Sequence, residues 1–213
     1  MRESRTAAGR ETPEPNAAEI YPPREDTFAL LPFATVGPGV RLLEIGTGSG
    51  LLALTAARSG ASVVATDLNR TALVRLRARA RDEGLDLAVV RADLAGGLGR
   101  FDRILANPPY LPTSPEERAV DRDRTLALDG GPDGTSVLER IVRTLPEHLA
   151  PGGEAFVLVS SVQSARKLSA IWKRWRSEGG SAETVAERAL EGERLEVWRL
   201  TRSRARSRPA PQP

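Results

Sequence analysis

Between Arg41 and Ala106, short apolar runs alternate with longer runs of helical periodicity, and this alternation limits the possible folds more than any other feature. Residues 41–45, 62–66, 87–91 and 101–106 are short, apolar and bounded by turn residues, the pattern of buried strands. Residues 51–59 and 70–83 carry apolar side chains three and four apart, the pattern of helices with one buried stripe. Strands separated by helices pair in parallel through right-handed crossovers, which puts helices on both faces of the sheet.

The flanks extend this pattern. Phe28 to Thr35 reads as a short amphipathic helix stopped by Gly37-Pro38-Gly39. After Ala106 comes a long polar loop, Leu111 to Asp129, of a length that usually carries function. A helix over 135–149 leads through Pro151-Gly152-Gly153 to a strand over 154–159. A helix over 163–178 should bury Trp172 and Trp175, and strands 182–189 and 194–200 should form a hairpin about Gly192. The expected fold is therefore α/β: a doubly wound, seven-stranded, mostly parallel sheet with one antiparallel strand.

One such domain is expected over residues 20–200, since 213 residues with 40% hydrophobic content can fill one core. Residues 1–19 read as a flexible polar leader and 201–213 as a basic, disordered tail. That tail holds Arg202, Arg204, Arg206 and Arg208, so the net charge of +3 leaves a near-neutral body without a basic groove for nucleic acid. Contact with RNA is expected only through the tail or a substrate. There is no cysteine, hence no disulfide and no cysteine-based metal site. His148, the one histidine, lies among helix-stop signals and reads as a surface or C-terminal-turn residue. No long apolar segment or leader of the secretory type is present, and a cytoplasmic location is expected.

Three stretches carry chemistry. Gly46-Thr47-Gly48-Ser49-Gly50 joins a strand to a helix, where glycines allow a tight turn and close approach of a ligand to the backbone. Its spacing differs from the dinucleotide fingerprint, which would be Gly-x-Gly-x-x-Gly. Asp67 ends the next strand, where a carboxylate can take both hydroxyls of a ribose; the alternative is a helix N-cap. Asn107-Pro108-Pro109-Tyr110 ends the fourth strand, where two prolines remove ladder donors and force the chain out of the sheet. An Asn oxygen and a backbone carbonyl there can each accept one proton of an N–H₂ group, a clamp suited to chemistry on an amide or amino nitrogen.

Together, Glu44 to Gly50, Asp67 and Asn107 to Tyr110 resemble the HemK/PrmC group of class I methyltransferases, which use S-adenosylmethionine to methylate a glutamine side-chain amide in translation release factors. Tyr21-Pro22-Pro23-Arg24-Glu25-Asp26-Thr27 is similar to the opening motif of the group's short archaeal and eukaryotic branch, and Leu128 to Gly134 to its Gly-Gly-x-Asp-Gly loop. The resemblance spans residues 20–200 and leaves no room ahead of residue 20 for the helical recognition domain of bacterial members. It implies strand order 3-2-1-4-5-7-6. It also implies that Glu44 and the Gly46-Thr47-Gly48 backbone hold the methionyl part of the cofactor, with Asp67 on the ribose and Leu68 beside the adenine. Asp93, next to Leu94, would accept from the adenine amino group; its alternative is a surface turn residue. Tyr21, Pro22, Asp26 and Thr27 would cover the cofactor. Asn107 and the Pro108 carbonyl would orient the acceptor nitrogen, and Tyr110 would stack on its flat group. No metal is implied at this site.

The alternative activity is amino methylation of a base (adenine N6 or guanine N2), whose enzymes share the Asn-Pro-Pro-Tyr motif; a binding subunit that keeps only the fold is a third possibility. The short branch works with a small zinc-binding activator subunit. Leu87 to Val90 are four successive apolar residues with no charge or proline among them to guard an edge, and residues 85–91 are where it would add a strand.

Overall fold

The computed structural model describes residues 20–114 and 128–202. The elements are α1 (Glu25–Ala34), β1 (Arg41–Ile45), α2 (Leu51–Arg58), β2 (Ser62–Asp67), α3 (Arg70–Asp82), β3 (Leu87–Arg91), β4 (Phe101–Ala106), α4 (Ser136–His148), β5 (Leu149–Ser160), α5 (Ala165–Ser177), β6 (Gly180–Leu190) and β7 (Glu193–Arg202). They form one seven-stranded sheet in the order β3-β2-β1-β4-β5-β7-β6. The first five strands pair in parallel, and β7 alone runs against its neighbours β5 and β6. The expected fold and order are both found.

Period-two alternation divides the core between the two faces. Leu43, Ile45, Ile104, Ala106, Ala155 and Val157 point to one side, where α4 and α5 bring Leu138, Ile141, Trp172 and Trp175. Leu42, Ala65, Leu105, Phe156 and Leu158 point to the other, against Leu30 of α1, Leu52 and Leu54 of α2 and Leu76 of α3. Both tryptophans are buried as expected, and Trp175 also donates from Nε1 to the Ser181 carbonyl at 2.9 Å.

Three expectations need correction. α1 starts at Glu25 rather than Phe28, because Glu25 and Asp26 suit the positive end of a helix and occupy its first turn. β5 starts at Leu149, ahead of Pro151-Gly152-Gly153: Leu149 pairs with Phe101, and an irregularity between Phe101 and Arg103 absorbs the interruption. His148 ends α4, the C-terminal-turn alternative of its reading, and is buried there at 7% exposure with its Nδ1 3.1 Å from the Gly99 carbonyl. Thr201 and Arg202, assigned to the tail, belong to β7. The leader, the tail beyond residue 202 and residues 115–127 of the polar loop lie outside the described residues.

The two sheet edges differ. β6 carries Glu183, Glu187 and Arg188 and has an irregularity between Thr184 and Ala186, devices that discourage edge pairing. β3 is apolar over Leu87 to Val90. Ala92 N–H bonds back to the Asp67 carbonyl at 3.3 Å, so by alternation the backbone groups of Leu87, Val89 and Arg91 face outward. One outward acceptor is covered: Arg77 of α3 donates from Nη2 to the Val89 carbonyl at 2.9 Å. The edge is thus guarded at its centre by a charged side chain, which the apolar strand sequence conceals.

Candidate active site

The site is built where β1, β2 and β4 end. β1 and β2 diverge through the glycine turn, which starts with one more ladder-like bond, Thr47 N–H to the Thr66 carbonyl at 2.8 Å. Gly46, Gly48 and Gly50 have φ of 71°, 49° and 77°, a left-handed series that side chains resist. A Cβ at Gly50 would lie 2.6 Å from the Leu76 side chain, so this glycine serves packing between α2 and α3. A Cβ at Gly46 would meet nothing within 4 Å, and at Gly48 only the Tyr21 carbonyl at 3.9 Å. The first two glycines therefore border open space, with the Tyr21 backbone above the second.

Glu44 follows Leu42 by two residues and so faces α2, not α4. Its Oε2 accepts from Thr47 Oγ1 at 2.6 Å and from Ala53 N–H at 2.9 Å, satisfying one free donor at the start of α2. The carboxyl fixes the turn to the helix. Burial pushes it up to about 8, against the opposing pull of those two bonds, and Asp67 nearby adds to the rise. An acid raised by folding binds a proton that the unfolded chain has released. Its stabilising contribution is complete below the ordinary value of 4.5 and is lost as pH rises to about 8. Wild-type melting temperature should accordingly fall relative to Glu44→Gln as pH is raised across that window and run parallel to it above. Calorimetry of both proteins in a pH series checks this; a constant difference would refute it.

Asp67 is not the cap of α3. Asn69 is, accepting from Thr71 N–H at 2.8 Å and Ala72 N–H at 3.3 Å. Asp67 instead accepts from Gly48 N–H through Oδ2 at 2.9 Å and from Asn69 N–H through Oδ1 at 2.8 Å. Each oxygen keeps a lone pair for a hydroxyl donor. Leu68 beside it is 43% exposed, an apolar face at the mouth of the turn. Beyond β3, Leu94 is the one non-glycine residue with positive φ among the described residues, at 55°. Asp93 is exposed, and its Oδ2 receives Arg140 Nη2 of α4 at 2.6 Å, so part of its acceptor capacity is already engaged.

On the other flank Asp26 is 2% exposed and gathers four donors. Oδ1 takes Thr27 N–H at 2.6 Å and Thr27 Oγ1 at 3.2 Å; Oδ2 takes Tyr21 Oη at 2.8 Å and, more weakly, Tyr110 Oη at 3.4 Å. Burial, helped by the negative charge of Asp26, drives both phenols well above their usual range, so they stay protonated donors. Asp26 thereby links the Tyr21 segment and α1 to Tyr110. Pro22 is exposed and is not drawn into this cluster.

Asn107 leaves β4 on the same face as Leu105, and its Oδ1 is buried without a hydrogen-bond partner. A buried amide oxygen without a donor costs about 1–3 kcal/mol, so this atom is held ready for a ligand N–H. Pro108 is buried behind it. The backbone after Tyr110 is tied to the glycine loop: Gly130 N–H donates to the Leu111 carbonyl at 2.9 Å and Thr113 N–H to the Gly131 carbonyl at 3.0 Å. Asp26, Glu44 and Asp67 have no cationic partner among the described residues. An open glycine turn, the carboxylates of Asp26 and Asp67 and a waiting amide oxygen fit a cationic nucleoside cofactor beside a nitrogen acceptor.

Sheet order, turn and strand-four exit define a class I methyltransferase. A family model described as the methyltransferase small domain matches residues 27–122. A Methanocaldococcus jannaschii protein, provisionally named a protein N5-glutamine methyltransferase, is 34% identical over 187 residues, 85% of this chain and 93% of that protein. A release factor glutamine methyltransferase of Deinococcus radiodurans is 40% identical over 162 residues, covering 72% of this chain but 58% of that protein. Among solved structures, the E. cuniculi Mtq2–Trm112 complex, responsible for methylation of the eRF1 translation termination factor, aligns with a TM-score of 0.66 at 25% identity, over 87% of this chain and 99% of that one. The chain belongs to the protein glutamine methyltransferase family.

Residues around Asn107 that no sequence pattern singles out also shape the site. Gln163 is 3% exposed and bridges the end of β5 to the glycine loop; Ser160 Oγ donates to Glu193 Oε1 at 2.5 Å at the start of β7. A buried amide and a hairpin carboxylate leave no periodic signature.

Proposed function

We propose that this chain transfers the methyl group of S-adenosylmethionine to the side-chain amide nitrogen of a glutamine, with the Gly-Gly-Gln loop of a translation release factor as its target. The observation that carries this reading is the unpartnered, buried Oδ1 of Asn107 at the exit of β4. S-adenosylmethionine, when bound, supplies a methyl group made electrophilic by a sulfonium. The chain's residues do the rest. The Gly46-Thr47-Gly48 backbone and Glu44 hold the methionyl part, Asp67 the ribose hydroxyls, and Leu68, Asp93 and Leu94 the adenine. Tyr21, Asp26 and Thr27 close the other side. An amide nitrogen is a poor nucleophile because its lone pair is shared with the carbonyl. Asn107 Oδ1 and the Pro108 carbonyl each accept one N–H, which orients the nitrogen and favours positive charge developing there. Tyr110 lies against the flat amide. No general base is required, because an N-methylated amide nitrogen becomes acidic and loses its proton late.

Tritium transfer from labelled S-adenosylmethionine to a release factor, to DNA and to RNA in parallel tests the substrate. Label in the release factor alone supports the glutamine; label in nucleic acid alone would replace it with a base amino group.

The outward groups of Leu87, Val89 and Arg91 support a second element of the reading, a small activator subunit that adds a strand to β3. Such a strand must displace Arg77 from the Val89 carbonyl. Proline at 89 removes an outward N–H, whereas proline at 90 would break the bond to β2. Val89→Pro should therefore abolish heterodimer formation in co-purification while cofactor affinity stays within about twofold, since one edge proline leaves the rest of the sheet paired. A fully active, monodisperse wild-type monomer would overturn the requirement for a partner.

A further inference from the structure

We infer that Gln163 is a positioning residue for the acceptor amide: it ties the end of β5 to the glycine loop that backs Asn107-Pro108-Pro109-Tyr110, and so sets where the substrate glutamine sits. The inference rests on the glutamine-methylation reading for its kinetic consequences, but its structural part stands alone.

The side chain makes two bonds in opposite senses. Gln163 Oε1 accepts from Ser160 N–H at 2.9 Å, and Nε2 donates to the Gly134 carbonyl at 2.6 Å. Gly134 in turn is pressed onto the motif: a Cβ there would lie 2.3 Å from the Tyr110 carbonyl and 3.2 Å from Gln163 Cγ, and its φ is 74°. Gly130 is equally confined, with a Cβ falling 2.8 Å from the Tyr110 carbonyl carbon and from Gly134 itself. The loop is further held by Ser164 N–H to the Asp133 carbonyl at 3.0 Å and by Asp133 Oδ1 accepting from Thr135 Oγ1 at 2.6 Å. A rigid strand end therefore reaches the motif through the Gln163 side-chain amide, with the Ser164 N–H holding the loop beside it. The cofactor turn lies across the site on β1 and β2, and none of these bonds touches it. Loss of the amide should loosen the acceptor side alone.

A primary amide is needed because one end must accept and the other donate. Ionised glutamate at 163 would still accept from Ser160 but would face the Gly134 carbonyl with a second acceptor. Protonated glutamate regains the donor. This provides a test that a filler of space would not pass. Gln163→Glu, Gln163→Met and Gly134→Ala, the last pushing on the Tyr110 carbonyl from the loop side, are compared with wild type as full chains. KM for a Gly-Gly-Gln peptide should rise about tenfold or more and kcat fall, since small displacements of reacting groups are costly. The S-adenosylmethionine Kd should stay within about twofold of wild type, as no cofactor contact is removed. The Gln163→Glu defect should shrink, relative to wild type, as pH falls and the carboxyl takes up its proton; Gln163→Met should show no such recovery. Hydrogen exchange of residues 107–113 and 130–134 should quicken in all three variants, a readout independent of any acceptor. Unchanged exchange, or a KM rise matched by an equal rise in cofactor Kd, would overturn the inference. Exchange that quickens while wild type, assayed with its activator subunit, fails to methylate the peptide would leave Gln163 as the tie and reject the substrate assignment.

Discussion

Asn107→Ala should lower the single-turnover rate of methyl transfer by at least about 10²-fold, the usual cost of removing one preorganised contact to a developing charge. S-adenosylmethionine should still bind with near wild-type affinity, because the cofactor turn is anchored by Glu44, Thr47 and Asp67 and makes no bond to Asn107. The variant should also fold about as well as wild type. Its lost oxygen is buried without a partner, so truncation relieves an unmet acceptor and leaves a small cavity whose cost opposes that gain. Loss of rate without loss of stability or cofactor affinity is the signature of an atom kept for the substrate. Isothermal titration, thermal melting and a single-turnover assay together read all three. A variant with more than about a tenth of the wild-type rate would remove Asn107 from the reaction, since an oriented transition-state contact is worth more than that.

Asp67→Ala should weaken S-adenosylmethionine binding by about 1.5–3 kcal/mol, the range for hydrogen bonds to a charged group. Two losses contribute. The ribose hydroxyls lose their acceptor, and Gly48 N–H and Asn69 N–H lose theirs, which loosens both the glycine turn and the entry to α3. Asp67→Asn separates them, because an amide oxygen can keep one of the two backbone bonds without the charge; it should fall between wild type and Ala in affinity and lie close to wild type in melting temperature. If titration showed unchanged affinity in both variants while melting temperature fell, Asp67 would be a brace for the turn and nothing more.

How much of this could be read from the sequence differs by element. β1 to β4 were legible because each is a short apolar run bounded by turn residues and separated by a helical pattern. Their order came from the family resemblance and not from the runs themselves. The start of β5 was hidden because Pro151-Gly152-Gly153 signals a stop locally, while pairing with β4 carries the strand through it. At the site, Asn107 and Asp67 stood out because a strand end followed by prolines, or ending in a carboxylate, is a local pattern. The cap that the local pattern offers as the alternative for Asp67 is taken by Asn69, two residues nearer the helix, which leaves Asp67 to span β2 and the glycine turn. Arg77 and Gln163 were beyond reach, since each acts on a backbone group brought near only by tertiary packing. The apolar sequence of β3 suggested an open edge, and the structure shows its middle acceptor already occupied.

The central claim is that Asn107 presents its amide oxygen to a glutamine side chain. Tandem mass spectrometry of a release factor incubated with S-adenosylmethionine and either wild type or Asn107→Ala tests it most directly. The account predicts one added methyl on the side-chain nitrogen of the Gly-Gly-Gln glutamine with wild type, and none with the variant on the same time scale. A methyl on another residue, or an equal yield from Asn107→Ala, would contradict it.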